Sequence, residues 1–101
     1  MPEVARKDGT DTISTGHGCD GTTVTDQGSD NVFVNGKGVV RQGDLTAVHL
    51  VPAGDVCVPH AVPLSTFSST VFVNSKGLGR KGDFYNGHQL TSGSPNVFAG
   101  G

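Results

Sequence analysis

Residues 29–49 read SDNVFVNGKGVVRQGDLTAVH, and residues 68–88 read SSTVFVNSKGLGRKGDFYNGH. The two stretches are identical at 11 of 21 positions, at a fixed offset of 39 residues and without a gap. Each holds a short run of β-branched and aromatic residues, which is typical of a strand, followed by a turn. Asn35-Gly36 is a strong signal for a two-residue hairpin turn, because both central residues take positive φ, and Asn74-Ser75 is a weaker version. The repeat therefore predicts two similar β-hairpins.

Partial copies of the same pattern lie at both ends of the chain. Residues 5–9 (ARKDG) resemble the Arg-x-Gly-Asp segment, and residues 93–98 (GSPNVF) resemble the Val-Phe segment. Cut at the arginines, the chain forms three units that start near Arg6, Arg41 and Arg80. No window has a sustained helical apolar period, so we expect almost no helix. The sequence predicts one small all-β domain, residues 1–101, with internal threefold character.

Composition and charge restrict the classes of function. The net charge is −2 and no basic stripe is present, which argues against nucleic acid as a partner. No apolar run is long enough to span a membrane, and the N-terminus lacks the apolar core of a signal peptide, so we expect a soluble protein made in the cytoplasm. Val, Leu, Ile and Phe together supply only 25 of 101 residues, and we expect the frame strands to need their Val and Phe for the core. Small domains with such thin cores usually add a disulfide, a metal ion or oligomerisation.

The possible metal ligands all lie in loops between an arginine segment and the next predicted strand. They are His17, Cys19, His49, Cys57, His60 and His88. If the three units are related by a threefold axis, these loops converge at one end of the domain. Four N or S donors there could form a closed tetrahedral zinc site of the structural type. Our leading ligands are His17, His49, His60 and His88, with Cys57 and then Cys19 as alternative metal ligands.

Other interpretations of these residues stay open. The histidines could be ordinary polar loop residues, and Cys19 and Cys57 could form a disulfide. Asp8, Asp44 and Asp83 adjoin glycines after basic residues, and we expect them to stabilise turns by accepting backbone hydrogen bonds. Arg41 and Arg80 are expected to pair locally or to face a partner.

With these residues in view, the sequence resembles the PAAR family of spike-tip proteins. The resemblance rests on Gly16–Cys19, Val32–Lys37, Arg41–Asp44, Cys57–His60 and Gly93–Phe98, in order along the chain. It implies a cone-shaped domain whose three pseudo-threefold β-hairpin units converge on a metal-bound apex. It also implies one structural zinc ion, typically held by three His and one Cys. The base would sit on a trimeric β-helical spike protein, either VgrG or a phage central spike, with one tip per trimer.

Two features depart from the family pattern. The Pro-Ala-Ala-Arg tetrapeptide is absent, and only its arginine is kept at Arg41 and Arg80. His88 stands where many relatives carry Cys, so the fourth ligand could be Cys57, Cys19 or a histidine.

The resemblance implies a structural, membrane-piercing function in a contractile phage tail or a type VI secretion system, with transient contact with the target cell envelope. The protein would be made in the bacterial cytoplasm and then assembled into a virion or secreted on the spike. An adaptor that docks effectors onto the spike is an alternative. A zinc hydrolase is a weaker one, because the only glutamate is Glu3 and every histidine is already assigned as a ligand.

Overall fold

The computed structural model describes residues 1–101 and contains ten short β-strands and no helix. The strands are β1 Thr12–Ser14, β2 Thr22–Val24, β3 Phe33–Val34, β4 Lys37–Gly38, β5 His49–Ala53, β6 Val56–His60, β7 Phe72–Val73, β8 Lys76–Gly77, β9 Phe84–Tyr85 and β10 His88–Leu90. The predicted all-β class is therefore confirmed. No segment forms a helix that could cross a membrane.

The strands form one four-stranded sheet and three separate hairpins, and all pairings are antiparallel. The sheet has the order β2-β1-β10-β9, and the hairpins are β3–β4, β5–β6 and β7–β8. The domain is elongated, with extents of 41 × 24 × 22 Å.

The sequence repeat forms two hairpins of the same geometry. Phe33 pairs with Gly38 across β3–β4, and Phe72 pairs with Gly77 across β7–β8. In each turn the two central residues take positive φ, at 54° and 77° for Asn35-Gly36 and at 53° and 65° for Asn74-Ser75. These values define a type I′ turn, which follows the twist of the flanking strands. The hairpin prediction is confirmed in both repeats.

The third hairpin of the frame is assembled from the two ends of the chain. Glu3 forms an antiparallel bridge with Phe98, and the Val4 N–H donates to the Val97 carbonyl at 3.0 Å. The equivalent bonds in the two continuous hairpins run from Val39 to Val32 at 3.1 Å and from Leu78 to Val71 at 3.0 Å. The terminal copies of the repeat thus complete a third unit.

A closed ring of three backbone hydrogen bonds joins the units. The Ala5 N–H donates to the Gly79 carbonyl at 3.0 Å, Gly79 to Val40 at 2.8 Å, and Val40 back to Ala5 at 3.0 Å. Each unit donates once and accepts once, so the ring defines a pseudo-threefold axis through the domain. We use the name base frame for the three hairpins and this ring.

Three buried serines repeat the same hydrogen bonds in each unit of the base frame. Each serine Oγ accepts the backbone N–H groups of the residues two and three positions ahead, which fixes the entry to the strand. The serines are Ser29, Ser68 and Ser94, all fully buried.

Each unit also contains one arginine–aspartate pair. Asp44 accepts the Arg41 backbone N–H at 2.8 Å and two guanidinium hydrogen bonds at 2.9 and 3.1 Å. These hydrogen bonds raise the pKa of Arg41. Asp83 pairs with Arg80 in the same way. Of the alternatives left open for Arg41 and Arg80, the structure shows local pairing.

The expectation that Asp8 accepts a backbone hydrogen bond as Asp44 and Asp83 do was wrong, because Asp11 is the equivalent carboxylate. Arg6 instead pairs with Asp11, which is fully buried and accepts the Arg6 backbone N–H at 2.7 Å. Asp8 lies on an exposed turn with φ of 60°. The first loop carries extra residues between the arginine and its carboxylate, so linear spacing pointed to the wrong aspartate.

The core consists of two small clusters. One surrounds Tyr85, which is fully buried together with five aliphatic side chains, and its burial raises the pKa of the phenol. The other contains valines of the base frame and Leu78. The expectation that the frame phenylalanines are needed for the core was wrong, since Phe33 and Phe72 are 57% and 61% exposed. In a two-residue strand, Phe and its flanking valines point to opposite faces, and the valines are the more buried side chains.

Candidate metal centre

The four histidines meet at one place, although they come from distant parts of the chain. His17 lies in the loop after β1, His49 begins β5, His60 ends β6 and His88 begins β10. One ring nitrogen from each lies within 4.8 Å of the other three. His49 and His88 are buried, whereas His17 and His60 are half-buried. We call this group the histidine cluster.

Local structure positions each ring. His49 and His60 are cross-strand partners at the open end of the β5–β6 hairpin. His88 follows a turn at Asn86-Gly87, where both residues take positive φ of 47° and 92°. The His17 N–H donates to the Thr15 Oγ1 at 3.3 Å, and that hydroxyl donates to the Asp20 carbonyl at 2.7 Å, which holds the first loop in shape.

The Nε2 atoms face one another across the cluster. They are separated by 2.7 Å between His49 and His60, 3.0 Å between His17 and His88, and 3.3 Å between His17 and His60. A hydrogen bond from Nδ1 fixes the tautomer of two rings: His17 donates to the Gly18 carbonyl at 2.8 Å and His49 to the Ala47 carbonyl at 2.9 Å. The Nε2 atoms of these two rings therefore direct lone pairs into the cluster.

This geometry fits a metal ion better than protons alone. Four nitrogens about 2.0–2.1 Å from a zinc ion are separated by about 3.3–3.4 Å in a regular tetrahedron. The His17–His60 separation has this length at 3.3 Å, the His17–His88 and His49–His60 separations are shorter at 3.0 and 2.7 Å, and all four donor atoms lie within 4.8 Å of one another. A proton can bridge one pair of rings at a time, whereas one cation at the centre bonds to all four. The Nδ1–H to carbonyl hydrogen bonds are also the outer contacts that orient metal-bound histidines.

The electrostatic environment favours the neutral, metal-binding form of the rings. Burial, followed by the neighbouring imidazoles, lowers the pKa of His60. Burial is also the main cause that lowers the pKa of His88. A cationic imidazolium cannot bind a metal, so a lowered pKa keeps these nitrogens available as ligands near neutral pH.

The two cysteines do not belong to the cluster. Cys19 and Cys57 form a disulfide with a Cα–Cα distance of 6.1 Å, and no cysteine is free. A disulfide sulfur carries no thiolate, so the alternative assignment of Cys57 or Cys19 as a ligand was wrong, and the disulfide interpretation fits instead. The bond ties the loop that carries His17 to the hairpin that carries His60.

The structure thus brings together the four histidines named from the sequence, and whether they hold a metal stays a prediction. Sequence reasoning missed Asp20, which hydrogen-bonds to both backbone groups of Leu50. The Leu50 N–H donates to the Asp20 carboxylate at 2.7 Å, and the Asp20 N–H donates to the Leu50 carbonyl at 3.1 Å. An aspartate one residue after a loop cysteine carries no repeat signal, because the loops of the three units differ in length and sequence.

The chain is thus a small all-β domain with a pseudo-threefold frame and four clustered imidazoles, which fit a bound metal ion. The family described as PAAR motif matches residues 17–86, which is more than half of the chain, so the chain belongs to the PAAR motif family. This is a family of structural spike-tip proteins that associate with spike proteins of the VgrG type. No curated protein matches the chain.

Proposed function

We propose that this protein is the piercing tip of a contractile injection machine. It caps the trimeric β-helical central spike of a phage tail or type VI secretion system, with one tip per trimer. The observation that carries the proposal is the apolar surface of the base frame, which repeats three times around the pseudo-threefold axis. One structural zinc ion in the histidine cluster stabilises the opposite part of the domain.

An open apolar basin of about 380 Å³ lies on the base frame. Each unit contributes equivalent side chains to it, so the basin lies on the pseudo-threefold axis. The equivalent sets are Val32, Val71 and Val97; Val34, Val73 and Ala99; and Val39, Leu78 and Val4. A surface of this symmetry matches the end of a trimer, where each subunit presents the same residues to one unit.

Three phenylalanines of the base frame are exposed at equivalent positions, and one of them, Phe98, lines the basin. Phe33, Phe72 and Phe98 are 57%, 61% and 47% exposed. Clustered aromatic side chains at a surface mark contact sites, because they bury a large apolar area at little cost in conformational entropy. In the assembled spike we expect each phenylalanine to pack against one spike subunit.

A closed, four-nitrogen site supports the structural function over hydrolysis. A catalytic zinc keeps one position open for water and needs a nearby general base. Here all four nearby donors are imidazoles, and the only glutamate, Glu3, forms a salt bridge with Lys81 in the base frame. The zinc would supply cohesion to loops that carry little apolar core.

Mixing the chain with the trimeric β-helical end of its cognate spike tests the proposal. Light scattering should give a mass of one chain per trimer, and the chain alone should be monomeric. A stable self-trimer, or one copy bound to each spike subunit, would contradict the threefold argument.

A pair of matched substitutions locates the contact. Phe33→Glu should weaken spike binding by roughly a hundredfold, because it places a charge in an apolar interface. Phe84→Glu is the control, since Phe84 is 37% exposed and lies in β9, outside the base frame. Equal loss of binding in both variants would mean that the base frame is not the docking surface.

We further propose that the protein is made in the bacterial cytoplasm and leaves it as part of the virion or spike.

A further inference from the structure

The β5–β6 hairpin extends beyond the histidine cluster as an apolar ribbon. From the His49–His60 pair to its turn it continues for four residue pairs, about 14 Å. Asp55, at the turn, is the only charged residue in residues 50–59. Leu50, Val56 and Val58 are nevertheless 40%, 60% and 37% exposed. We call residues 50–59 the apolar hairpin.

The backbone edges of the apolar hairpin offer almost no hydrogen-bond donors. Gly54-Asp55 forms a two-residue turn, so the residues that flank it, Ala53 and Val56, are a hydrogen-bonded pair. Pairs along the hairpin then alternate, and the residues of the non-hydrogen-bonded pairs direct their N–H groups outward. The outward positions are Leu50, Pro52, Cys57 and Pro59. The prolines have no N–H, and the Leu50 N–H donates to the Asp20 carboxylate at 2.7 Å. Only the Cys57 N–H is left facing outward.

The two faces of the hairpin differ. The face with Pro52 and Cys57 is tied to the first loop by the disulfide between Cys57 and Cys19. The opposite face continues from His49 and His60 and presents only small apolar side chains. They are Val51, Ala53, Val56 and Val58, of which all but Val51 are exposed.

These features together fit a hydrocarbon environment rather than a protein strand. A partner that adds a strand to a sheet edge needs N–H donors along that edge, and the prolines remove them. The interior of a bilayer instead penalises every free N–H group, as well as every charge. Prolines on both outer edges lower the cost of free N–H groups, and the scarcity of charged residues lowers the cost of burying charge.

We propose that the apolar hairpin is the lipid-contacting element of the tip, and that its Val51, Ala53, Val56 and Val58 face enters the acyl region beneath the headgroups. This inference rests on the proposed piercing function. The protein is acidic overall and the hairpin has no basic residue, so contact with lipid is apolar rather than electrostatic. Binding should not require anionic lipids and should change little with salt.

Tryptophan fluorescence tests the proposal cleanly, because the chain has no tryptophan. Val56→Trp places a single probe on the apolar face, and Phe33→Trp places one on the base frame as the matched control. With phosphatidylcholine vesicles, Val56→Trp emission should shift to shorter wavelength and be quenched by brominated acyl chains, and Phe33→Trp should show neither change. No lipid response of Val56→Trp, or an equal response of the control, would overturn the proposal.

A loss-of-contact variant completes the test. In vesicle flotation, Val56→Lys with Val58→Lys should lower lipid partitioning by roughly tenfold relative to the parent chain. Both positions are exposed, so the melting temperature and the spike binding of this double variant should be unchanged. A concentration-dependent shift of Val56→Trp without lipid would assign the face to a second copy of the chain and overturn the proposal. Intact spike capping with no lipid response would reject this inference alone and leave the proposed function standing.

Discussion

The base frame and the histidine cluster are built by opposite means. In the base frame, three equivalent hairpins repeat the same backbone bonds, buried serines and arginine–aspartate pairs. Around the histidine cluster, the loops differ in length and share little besides their histidines. The base frame has regular hydrogen bonding and most of the core, whereas the loops rely on one disulfide and on the proposed metal ion.

This contrast shows where stability has to come from. Symmetric hairpins satisfy their backbone groups through one another, so a thin apolar core suffices. The longer segments of unequal length pair in the four-stranded sheet and the β5–β6 hairpin without this symmetry, and closing such long loops costs conformational entropy. Cross-links at the end of each loop offset that cost, which explains why every histidine and cysteine of the chain lies there.

Removal of the metal should give the largest effect, and it should act on the loops before the base frame. At free zinc a thousandfold above its Kd, bound zinc should add at least about 4 kcal/mol to the free energy of unfolding, or roughly 15–30 °C in melting temperature. Chelation should reverse this, and hydrogen exchange should show protection lost in the loops before the amides of Ala5, Val40 and Gly79. An unchanged melting temperature after complete chelation would show that the cluster binds no structural metal.

The disulfide should matter mainly when the metal is absent. Cys19 and Cys57 are 38 residues apart, and a cross-link of that span stabilises a chain by up to about 4 kcal/mol in the chain-entropy model. In the zinc-loaded chain the metal already joins His17 to His60, so the Cys19→Ser, Cys57→Ser variant should lose less than about 1 kcal/mol. Denaturation of the parent chain and of this variant, each with and without zinc, measures this coupling, and equal losses in both states would contradict it.

Within the base frame, loss of one buried carboxylate should destabilise the chain by about 3 kcal/mol. Asp11→Asn keeps the shape but removes the charge that faces the Arg6 guanidinium, so a nearly buried cation loses its partner. Asp30→Asn is the control, because the Asp30 side chain is 96% exposed beside Lys7 and its pair should contribute less than about 0.5 kcal/mol. Chemical denaturation of the two variants compares them, and similar losses would mean that burial of the pair is unimportant.

The difference between the two hairpin turns should give the smallest effect. Ser75 takes φ of 65°, where glycine is favoured, and its counterpart in the first repeat is already Gly36. Ser75→Gly should therefore stabilise the chain by roughly 0.5 kcal/mol. Gly36→Ser, the reverse change in the first repeat, should destabilise it by a similar amount. Two changes of the same sign would show that φ does not control these turns.

The sequence predicted the parts of this molecule that follow from repetition. The offset of 39 residues gave the two hairpins, their turns and, through partial copies at both ends, the third unit. The loop histidines were predicted to meet because symmetric units place equivalent loops together. Repetition could not resolve what breaks the symmetry. The choice of Asp11 over Asp8, the disulfide and the exposed phenylalanines all depend on loop path and side-chain direction.

X-ray absorption at the zinc edge tests the central claim most directly, because it reports the donor atoms themselves. We expect one zinc per chain in protein purified without added metal, with four nitrogen donors at about 2.0–2.1 Å and imidazole scattering beyond them. His88→Cys supplies the matched reference, since one thiolate in the same place should add a sulfur at about 2.3 Å. A sulfur shell in the parent chain, or fewer than four nitrogen donors, would contradict the four-histidine centre.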